Sequence, residues 1–415
     1  MTDFELNRFL IAILSLLAAA HVFGYLFTRL RLPKVIGEIV GGICLGPSGL
    51  GYLSPDIFHG TFQAFKGQSL ILSMMYWLGL ILLMFVSGFE IEQLNYHQNR
   101  RLIALVLVGS TIIPFACGWF AWDFHDFRAF MGPAQNAMAL RIVIAVAVAV
   151  TSIPVLSRIF IDLGVIQSRF AKIVLACATI HDLILWVAVA VATGLIQEKD
   201  ISTQFLLGKV LSTGLFFIAM ILIMPRLIDL SSRSRLNLLF KASRLGYTLF
   251  ICFLFALFAG LLKINIVFGA FLAGITMGLI AEKSLQEQKH HVSEMAMGFF
   301  VPIYFALVGF NLDLIHHLDL GMVLGFTLFA MAAAVAGTFT AVWLADRHVL
   351  SSFNLAMAMN ARGGPGIVLA TVASELGIIG KSFFVTLIVL SLVSSLLAGF
   401  WFRYVLARRW QLLSA

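Results

Sequence analysis

The sequence predicts an all-α polytopic membrane protein. Hydrophobic residues make up 61% of the chain and charged residues only 12%, and the mean hydropathy is +1.00. These values lie far outside the range of soluble domains. The apolar residues also form long runs, and a helix needs about 20 of them to cross a bilayer. We therefore attribute the formal net charge of +8 to basic residues in the loops of a membrane protein and not to a surface that binds nucleic acid.

Thirteen apolar runs separated by short polar connections are the candidate transmembrane helices. They lie at about 8–28, 35–51, 69–88, 101–122, 137–160, 169–196, 204–226, 243–262, 265–282, 293–312, 319–345, 352–377 and 381–406. The acidic N-terminus and the lack of a small-residue cleavage site after the first run predict a retained first helix, not a signal peptide. The sequence thus predicts one membrane domain over residues 1–415, with no C-terminal nucleotide-binding domain.

The distribution of Lys and Arg predicts the orientation in the membrane. Alternate connections carry most of these residues: Arg29, Arg31, Lys34, Arg100, Arg101, Arg158, Arg169, Lys172, Arg226, Arg233, Arg235, Lys241, Arg244, Lys283, Lys289, Arg347, Arg403, Arg408 and Arg409. The opposite connections carry fewer: Arg8, Lys66, Arg128, Arg141, Lys199, Lys209, Lys263 and Lys381. Cytoplasmic loops are enriched in Lys and Arg, so we expect a cell (inner) membrane protein with its N-terminus outside and its C-terminus cytoplasmic.

Two ionisable residues, His181 and Asp182, lie inside the apolar run 169–196. A charge at that depth costs at least about 2.5–3.5 kcal/mol on insertion scales, and such residues usually mark ion or proton pathways. The sequence therefore predicts an ion or proton site at this pair. A structural carboxylate at Asp182 is the alternative, and for His181 an imidazole that only orients its neighbour is as well supported as one that takes up protons.

Two other runs are interrupted by backbone chemistry. The fifth contains Thr151-Ser152-Ile153-Pro154 and the twelfth contains Asn360-Ala361-Arg362-Gly363-Gly364-Pro365-Gly366. Proline donates no N–H and frees a carbonyl one turn earlier, and irregular backbone at membrane depth occurs only where protein or a cavity satisfies it. Paired broken helices, one in each half, indicate a transporter site at a repeat interface. An inverted repeat that relates helices 2–6 to helices 9–13 would lay the two breaks across each other, although ordinary proline kinks remain the alternative.

Cysteine usage indicates neither disulfides nor a resident metal. Each of the four cysteines, Cys44, Cys117, Cys177 and Cys252, lies alone in an apolar run. A disulfide framework or a metal site would need closely spaced or paired ligands. No cofactor is expected.

Several motifs, in order along the chain, resemble a known family. Leu32–Ser48 reads LPKVIGEIVGGICLGPS, Gly269–Gly274 reads GAFLAG, Phe299–Phe305 reads FFVPIYF and precedes Gly309, and Asn360–Gly366 reads NARGGPG. Together they resemble the monovalent cation:proton antiporters, in the cation/proton antiporter-2 branch that includes bacterial sodium/proton exchangers and the membrane domain of glutathione-gated potassium efflux systems. The resemblance runs from about residue 8 to 406. It implies a 13-helix homodimer in which a mobile core domain, about 101–196 and 319–406, moves against a dimerisation domain.

The resemblance also implies roles for individual residues. Asp182 matches the aspartate that binds cation and proton in turn, and Thr151 and Ser152 match the unwound fifth helix whose oxygens face the ion. Pro154, Asn360, Arg362, Gly363, Gly364 and Pro365 would support the broken helices, with Arg362 offsetting exposed carbonyl ends. The partners implied are Na⁺ or K⁺, protons and the lipid bilayer, and a separate regulatory domain or subunit could act on the exchanger.

His181 is the main departure from the family pattern. It stands where electrogenic relatives have a first aspartate, and the run 293–312 lacks the Lys or Arg that pairs with it there. Loss of both members of an ion pair predicts a single-carboxylate, electroneutral exchanger.

Three other functions compete with this hypothesis. A cation channel would use the same ligands without alternating access, and a sodium-coupled organic-solute symporter would need a larger polar cavity. A membrane enzyme is disfavoured, because the sequence has one deep aspartate, no Gly-x-Ser-x-Gly elbow and no P-loop.

Overall fold

The computed structural model describes residues 2–30, 32–89, 100–152, 155–156, 159–160, 163–197, 203–234, 236–262, 265–280 and 283–413. At some helical positions, Asp182 among them, it describes the backbone alone. The described residues are nearly all helical and contain no β-strand, only one isolated bridge between Met131 and Ile379. The predicted all-α class is confirmed.

The helices follow the apolar runs of the sequence. In chain order they are α1 (Asp3–Arg29), α2 (Lys34–Leu45), α3 (Leu50–Leu53), α4 (Pro55–Phe62), α5 (Gln68–Phe89), α6 (Arg100–Leu107), α7 (Ile113–Phe124), α8 (Ala137–Ala149), α9 (Arg169–Gln197), α10 (Thr203–Leu222), α11 (Met224–Arg233), α12 (Leu238–Ala242), α13 (Arg244–Leu261), α14 (Ile266–Leu279), α15 (Lys283–Met295), α16 (Val301–Phe310), α17 (Leu314–His317), α18 (Leu320–Asp346), α19 (Val349–Met359), α20 (Gly363–Glu375) and α21 (Lys381–Ala407).

Long apolar helices dominate the part of the chain that the structure describes. Nine helical segments there are long and apolar enough to cross a membrane, and α8 and α14 are shorter apolar helices. The backbone of α9 adds a helix of 29 residues. The chain is a multi-pass membrane protein, and the predicted number of thirteen crossings stays a prediction.

Two examples outside the predicted breaks show that helix boundaries depart from the apolar runs. The run 35–51 ends as regular helix at Leu45, followed by a turn and the short α3. The run 293–312 is preceded by helix that begins ten residues earlier, at Lys283, in the polar segment of α15. Hydropathy identifies the part of a helix that lies inside the membrane and not the full length of the helix. The polar N-terminal part of this helix is therefore not predicted from hydropathy.

The chain divides into two compact units. The first comprises Met1–Gln93 and Val210–His316, and the second comprises Leu94–Lys209 and His317–Ala415. Each unit is therefore made of two separate stretches of the chain.

In the first unit, glycines allow helices to pack backbone against backbone. A Cβ on Gly42 of α2 would lie 1.9 Å from the Ala306 carbonyl oxygen of α16, and one on Gly309 would lie 2.0 Å from the Ile39 oxygen. No side chain fits at either position. This small-residue contact is the usual way in which membrane helices approach closely.

A π-turn at Ala296–Phe300 joins α15 to α16 in the same unit. Pro302 has no N–H to donate to the Gly298 carbonyl, four residues earlier. That carbonyl instead accepts a hydrogen bond from His21 Nε2 of α1, at 3.0 Å. The π-turn is therefore accompanied by a polar contact between helices.

The second unit contains α6 to α9 and α18 to α21, and a second π-turn, Val108–Ile112, joins α6 to α7. The loop before α8 binds the turn after α20: Gly132 N donates to Ile378 O and Ala134 N to Gly377 O, both at 2.9 Å. Gly380 N donates to Phe130 O at 2.8 Å. The start of α8 and the end of α20 are thereby held together, and these are the helices that the two predicted breaks interrupt.

Candidate functional site

The first break follows α8, which ends at Ala149. Val150 is extended, with φ −65° and ψ 143°, and the fully buried Thr151 and Ser152 are outside any helix. Ser152 Oγ accepts a long hydrogen bond from Val155 N, at 3.4 Å, as a hydroxyl does at the start of a new helical turn. The polypeptide is thus non-helical where the sequence predicts it to be, and the last carbonyls of α8 lack partners within the helix.

The second break separates α19 from α20. Helix α19 ends at Met359, and α20 begins at Gly363. Gly363 has φ +34°, and a Cβ there would lie 2.2 Å from Val155 Cγ2, so this position requires glycine. A Cβ on Gly364 would meet nothing within 4 Å, so no steric demand for glycine exists at that predicted support residue.

Hydrogen bonds join the two breaks directly. The Thr151 hydroxyl donates to the Met359 carbonyl at the end of α19, and Ser152 N donates to the Ala361 carbonyl at 2.7 Å. Pro365 lies four residues after Ala361 and has no N–H, so it leaves the Ala361 oxygen available to Ser152. The breaks of α8 and of α19–α20 therefore meet within one unit.

Arg362 binds the carbonyl end of α8. Its Nε donates to Ala147 O at 3.0 Å and its Nη2 to Val148 O at 2.9 Å. Nη2 also donates to Ala330 O of α18 at 2.8 Å, and Nη1 donates to the backbone and side-chain oxygens of Asn360. All five donors of the guanidinium are thus used, although only 1% of the residue is exposed.

The Arg362 side chain places a positive charge at the C-terminal end of α8. The C-terminal end of a helix carries about half a negative charge, and the Arg362 cation lies against that end of α8. Each break therefore supplies donors to the last carbonyls of the helix that ends at the other break.

Two serines of α21 cap the start of α20. Arg362 N donates to Ser394 Oγ at 3.3 Å, and Gly363 N donates to Ser395 Oγ at 3.0 Å. Both hydroxyls donate to Ser391 O of their own helix. Sequence reasoning missed these residues, because a cap supplied by a different helix leaves no local pattern at the break.

His181 reaches two hydroxyl groups on the π-turn of the second unit. Its Nε2 lies 2.9 Å from Ser110 Oγ and 2.6 Å from Thr111 Oγ1, and the imidazole also makes a hydrogen bond with the backbone of Ala149. His181 is 3% exposed. His181 is predicted from the sequence, but Ser110 and Thr111 are not; the signal for them is the Gly-Ser-Thr triplet in an apolar run, which ends three residues before Pro114.

Two of the predicted residues are not described in the detail that the prediction needs. The backbone of Asp182 is in α9, directly after His181, but its side chain lies outside the described part of the structure, and Pro154 lies outside the described residues. Of the other predicted residues, Thr151, Ser152, Asn360 and Arg362 are brought together at the crossing. Asn360 Nδ2 is buried there without a hydrogen-bond partner among the described residues.

Besides the Arg362 guanidinium and the Asn360 amide, the described polar groups at the crossing are hydroxyl and carbonyl oxygens. Such ligands suit hard cations, whereas transition metals prefer His and Cys. The described side chains include no cluster of three or more His, Cys, Asp or Glu residues. These oxygens are of the kind that alkali cations bind.

Comparisons with known proteins identify the family of the chain. The family model of the transmembrane sodium/hydrogen exchangers matches residues 15–408. The Na(+)/H(+) antiporter NhaS4 of Synechocystis is 27% identical over 93% of this chain and 94% of its own length. The Na(+)/H(+)-K(+) antiporter GerN of Bacillus cereus is 27% identical over 94% of each protein.

Two further matches extend the comparison. The K(+)/H(+) antiporter 1 of Saccharomyces cerevisiae is 26% identical over 94% of this chain, which spans 45% of that protein. The solved structure of the sodium proton antiporter MjNhaP1 from Methanocaldococcus jannaschii superimposes with a TM-score of 0.57 over 94% of this chain and 95% of that chain, at 14% identity. The last match shows the antiporter fold. With a family model that covers nearly the whole sequence, the chain belongs to the sodium/hydrogen exchanger family and is a cation/proton antiporter, not an enzyme.

Proposed function

We propose that this antiporter exchanges Na⁺ or K⁺ for H⁺ by alternating access, and that Asp182 binds the cation and the proton in turn. One observation carries the proposal: the two helix breaks meet in the same unit as α9, and His181, directly before Asp182, contacts the end of α8. The finer points of the proposal are the role of Asp182 and the number of protons exchanged for each cation.

A single carboxylate explains exchange by competition. When Asp182 is protonated the site is neutral, and when it is ionised and holds a monovalent cation the site is neutral again. The occluded site therefore crosses the low-dielectric interior without a net charge in either form, where an unpaired charge would be costly. The exchange is one cation for one proton, and it is electroneutral.

The remaining ligands come from the first break. Thr151 and Ser152 are fully buried, and each hydroxyl oxygen keeps lone pairs that can face a cation. Arg362 occupies the carbonyls of Ala147 and Val148, so we assign cation binding to the hydroxyls and to Asp182 and not to those two carbonyls. Arg362 in turn offsets the helix-end charge when the site is empty.

The division into two units supports a proposed architecture for transport. The second unit, with both breaks, is the mobile core domain predicted at about 101–196 and 319–406, and the first is the dimerisation domain of a homodimer. The arrangement of Lys and Arg supports insertion in the cell (inner) membrane, with the N-terminus outside and the C-terminus cytoplasmic. A separate regulatory domain or subunit could act on the cytoplasmic side.

The proposal is tested with purified protein in proteoliposomes. Na⁺, K⁺, Li⁺ or Rb⁺ is added outside, proton movement is followed with a pH-sensitive dye inside, and choline serves as the inert cation. We expect saturable proton movement with Na⁺ or K⁺. Equal responses to all four cations and choline would contradict exchange, and steep single-channel currents would show a channel.

The double variant Thr151→Ala with Ser152→Ala is expected to weaken cation binding. Apparent KM for the cation should rise by about five- to ten-fold, the effect of one or two lost polar contacts, while the maximal rate falls less. Thr248→Ala is the matched control, because this fully buried hydroxyl donates only to Arg244 O of its own helix in the first unit. A fall in maximal rate with unchanged KM would remove both hydroxyls from the ligand set.

Transport by the wild-type protein is expected to be independent of membrane potential. At several clamped potentials the initial rate should stay constant, since no net charge crosses the membrane in either half of the cycle. His181→Gln should retain transport and the same flat dependence. A wild-type rate that follows the potential while that of His181→Gln does not would show that His181 carries a proton in each cycle.

A further inference from the structure

The π-turn of the second unit faces the candidate site with two hydroxyl groups. Ser110 is 1% exposed, and its hydroxyl donates to Val106 O at 2.6 Å. Thr111 lies next to it, and both oxygens lie within 2.9 Å of His181 Nε2. Helices in membrane proteins bury such groups where they bond across to another helix.

The position of this π-turn is fixed by backbone packing. A Cβ on Gly109 would lie 2.7 Å from the Gly337 carbonyl oxygen of α18, and a Cβ on Gly337 would lie 2.5 Å from the Gly109 oxygen. Pro114 also has no N–H for the Ser110 carbonyl, so the regular α-helical bond is absent at this turn. The turn cannot rotate freely against α18, and its hydroxyls are held toward α9.

His181 connects the π-turn to the end of the first broken helix. One side of the imidazole faces Ser110 and Thr111, and the ring also binds the backbone of Ala149, the last residue of α8. The Ala149 N–H is inside α8, so its carbonyl is the acceptor and a ring nitrogen donates. Thr151 lies two residues after Ala149 in the chain. The chain of contacts therefore runs from the π-turn through His181 to the segment with the candidate ligands.

Of the two hydroxyls, only that of Thr111 has a proton available for a hydrogen bond to His181. Nε2 faces the two hydroxyls, so we assign the donor to Ala149 to Nδ1, and Nε2 of the neutral ring is then an acceptor. The Ser110 proton is used by Val106 O, so Thr111 is the group that can donate to Nε2. Removal of its hydroxyl leaves the ring without a fixed orientation on that side.

We propose that Thr111 is a positioning residue of the cation site: through His181 it holds the end of α8 and the adjacent turn of α9 in the geometry that binds the cation. This inference rests on the proposed function, and it assigns to the π-turn a role in ligand geometry. Thr111 does not touch the cation itself. π-turns often occur at functional sites of helices, and here the contacts specify what the turn does.

The test uses three substitutions at one position. Thr111→Val keeps the shape and removes the hydroxyl, and Thr111→Ser keeps the hydroxyl. In proteoliposomes we expect Thr111→Val to raise apparent KM for the driving cation about five-fold, the change that one ordinary hydrogen bond gives, with the maximal rate within about two-fold of wild type. Thr111→Ser should restore the wild-type KM, and Thr111→Ala should reproduce Thr111→Val if the valine variant folds poorly.

A matched control and a double variant separate positioning from general stability. Thr386→Val removes a fully buried hydroxyl that donates only to Ser382 O of its own helix, and its KM should be unchanged. If Thr111 acts through His181, Thr111→Val with His181→Gln should have the KM of His181→Gln alone, because contacting residues do not add.

Two results would overturn the inference: independent, additive effects in the double variant, or equal KM values for Thr111→Val and Thr386→Val. Failure of the proposed function is a different result, since it appears as retained exchange in a folded Asp182→Asn protein whatever the Thr111 variants do.

Discussion

Asp182→Asn is expected to abolish cation-driven proton movement while the protein still inserts and folds. The carboxamide of asparagine has nearly the shape of the carboxyl group but takes up no proton and carries no negative charge. In the proposed mechanism a single carboxylate serves both half-reactions in turn, so its loss should remove cation binding and proton release together. In proteoliposomes the dye response to Na⁺ or K⁺ should fall to the level of choline, at every cation concentration.

The control for this variant is another acid of the same unit. Asp123→Asn removes a half-exposed carboxylate that pairs with Arg141 at 2.9 Å, outside the crossing, and it should leave exchange near the wild-type rate. Size-exclusion profiles and thermal unfolding must show that the Asp182→Asn protein is folded. Saturable exchange by such a folded protein would refute the assignment of Asp182 and the competition mechanism that rests on it.

Arg362→Met is expected to cause the largest loss of stability. The guanidinium makes five hydrogen bonds in a buried setting, and methionine leaves the acceptors at the helix ends unpaired. An unpaired buried polar group costs about 1–3 kcal/mol, so a loss of at least about 3 kcal/mol is expected for the set. Thermal unfolding in detergent and the yield of membrane-inserted protein measure it.

Arg362→Lys separates charge from geometry. Lysine keeps the positive charge but lacks the planar guanidinium that donates to both Ala147 and Val148. Arg362→Lys should therefore recover part of the stability that Arg362→Met loses, but little of the transport activity. Arg141→Lys is the matched control: Arg141 also donates to a helix carbonyl, Trp119 O at 2.8 Å, but it is partly exposed. Equal stability of wild type and Arg362→Met would mean that water or another group satisfies these carbonyls.

The sequence predicted where the helices break but not how the breaks are satisfied. Proline and glycine at Asn360–Gly366 are local signals, and they correctly placed the end of α19. The bonds from Arg362 to Ala147 and Val148 join residues more than two hundred positions apart, and no local pattern specifies such a pair. The same holds for the caps from Ser394 and Ser395, which come from the next helix.

The π-turn at Ser110 and Thr111 shows a second limit. Within a uniformly apolar run, a change from the α-helical period to a wider turn alters no hydropathy pattern. Only the polar triplet and the following Pro114 mark the position. The sequence does not decide between orientation and proton transfer as the role of His181, because the partners of this residue lie on other helices.

The hydrogen bonds between the two breaks also restrict how the ion can move. Thr151 to Met359, Ser152 to Ala361, and Arg362 to Ala147 and Val148 would all be lost if the half-helices separated. At about 1 kcal/mol or more for each bond, separation costs at least about 4 kcal/mol, which leaves about one molecule in a thousand apart. We therefore expect the crossing to move as one rigid body during the proposed exchange. An ion held in it would then meet the same ligands whichever side of the membrane is open, with the same intrinsic affinity on the two faces.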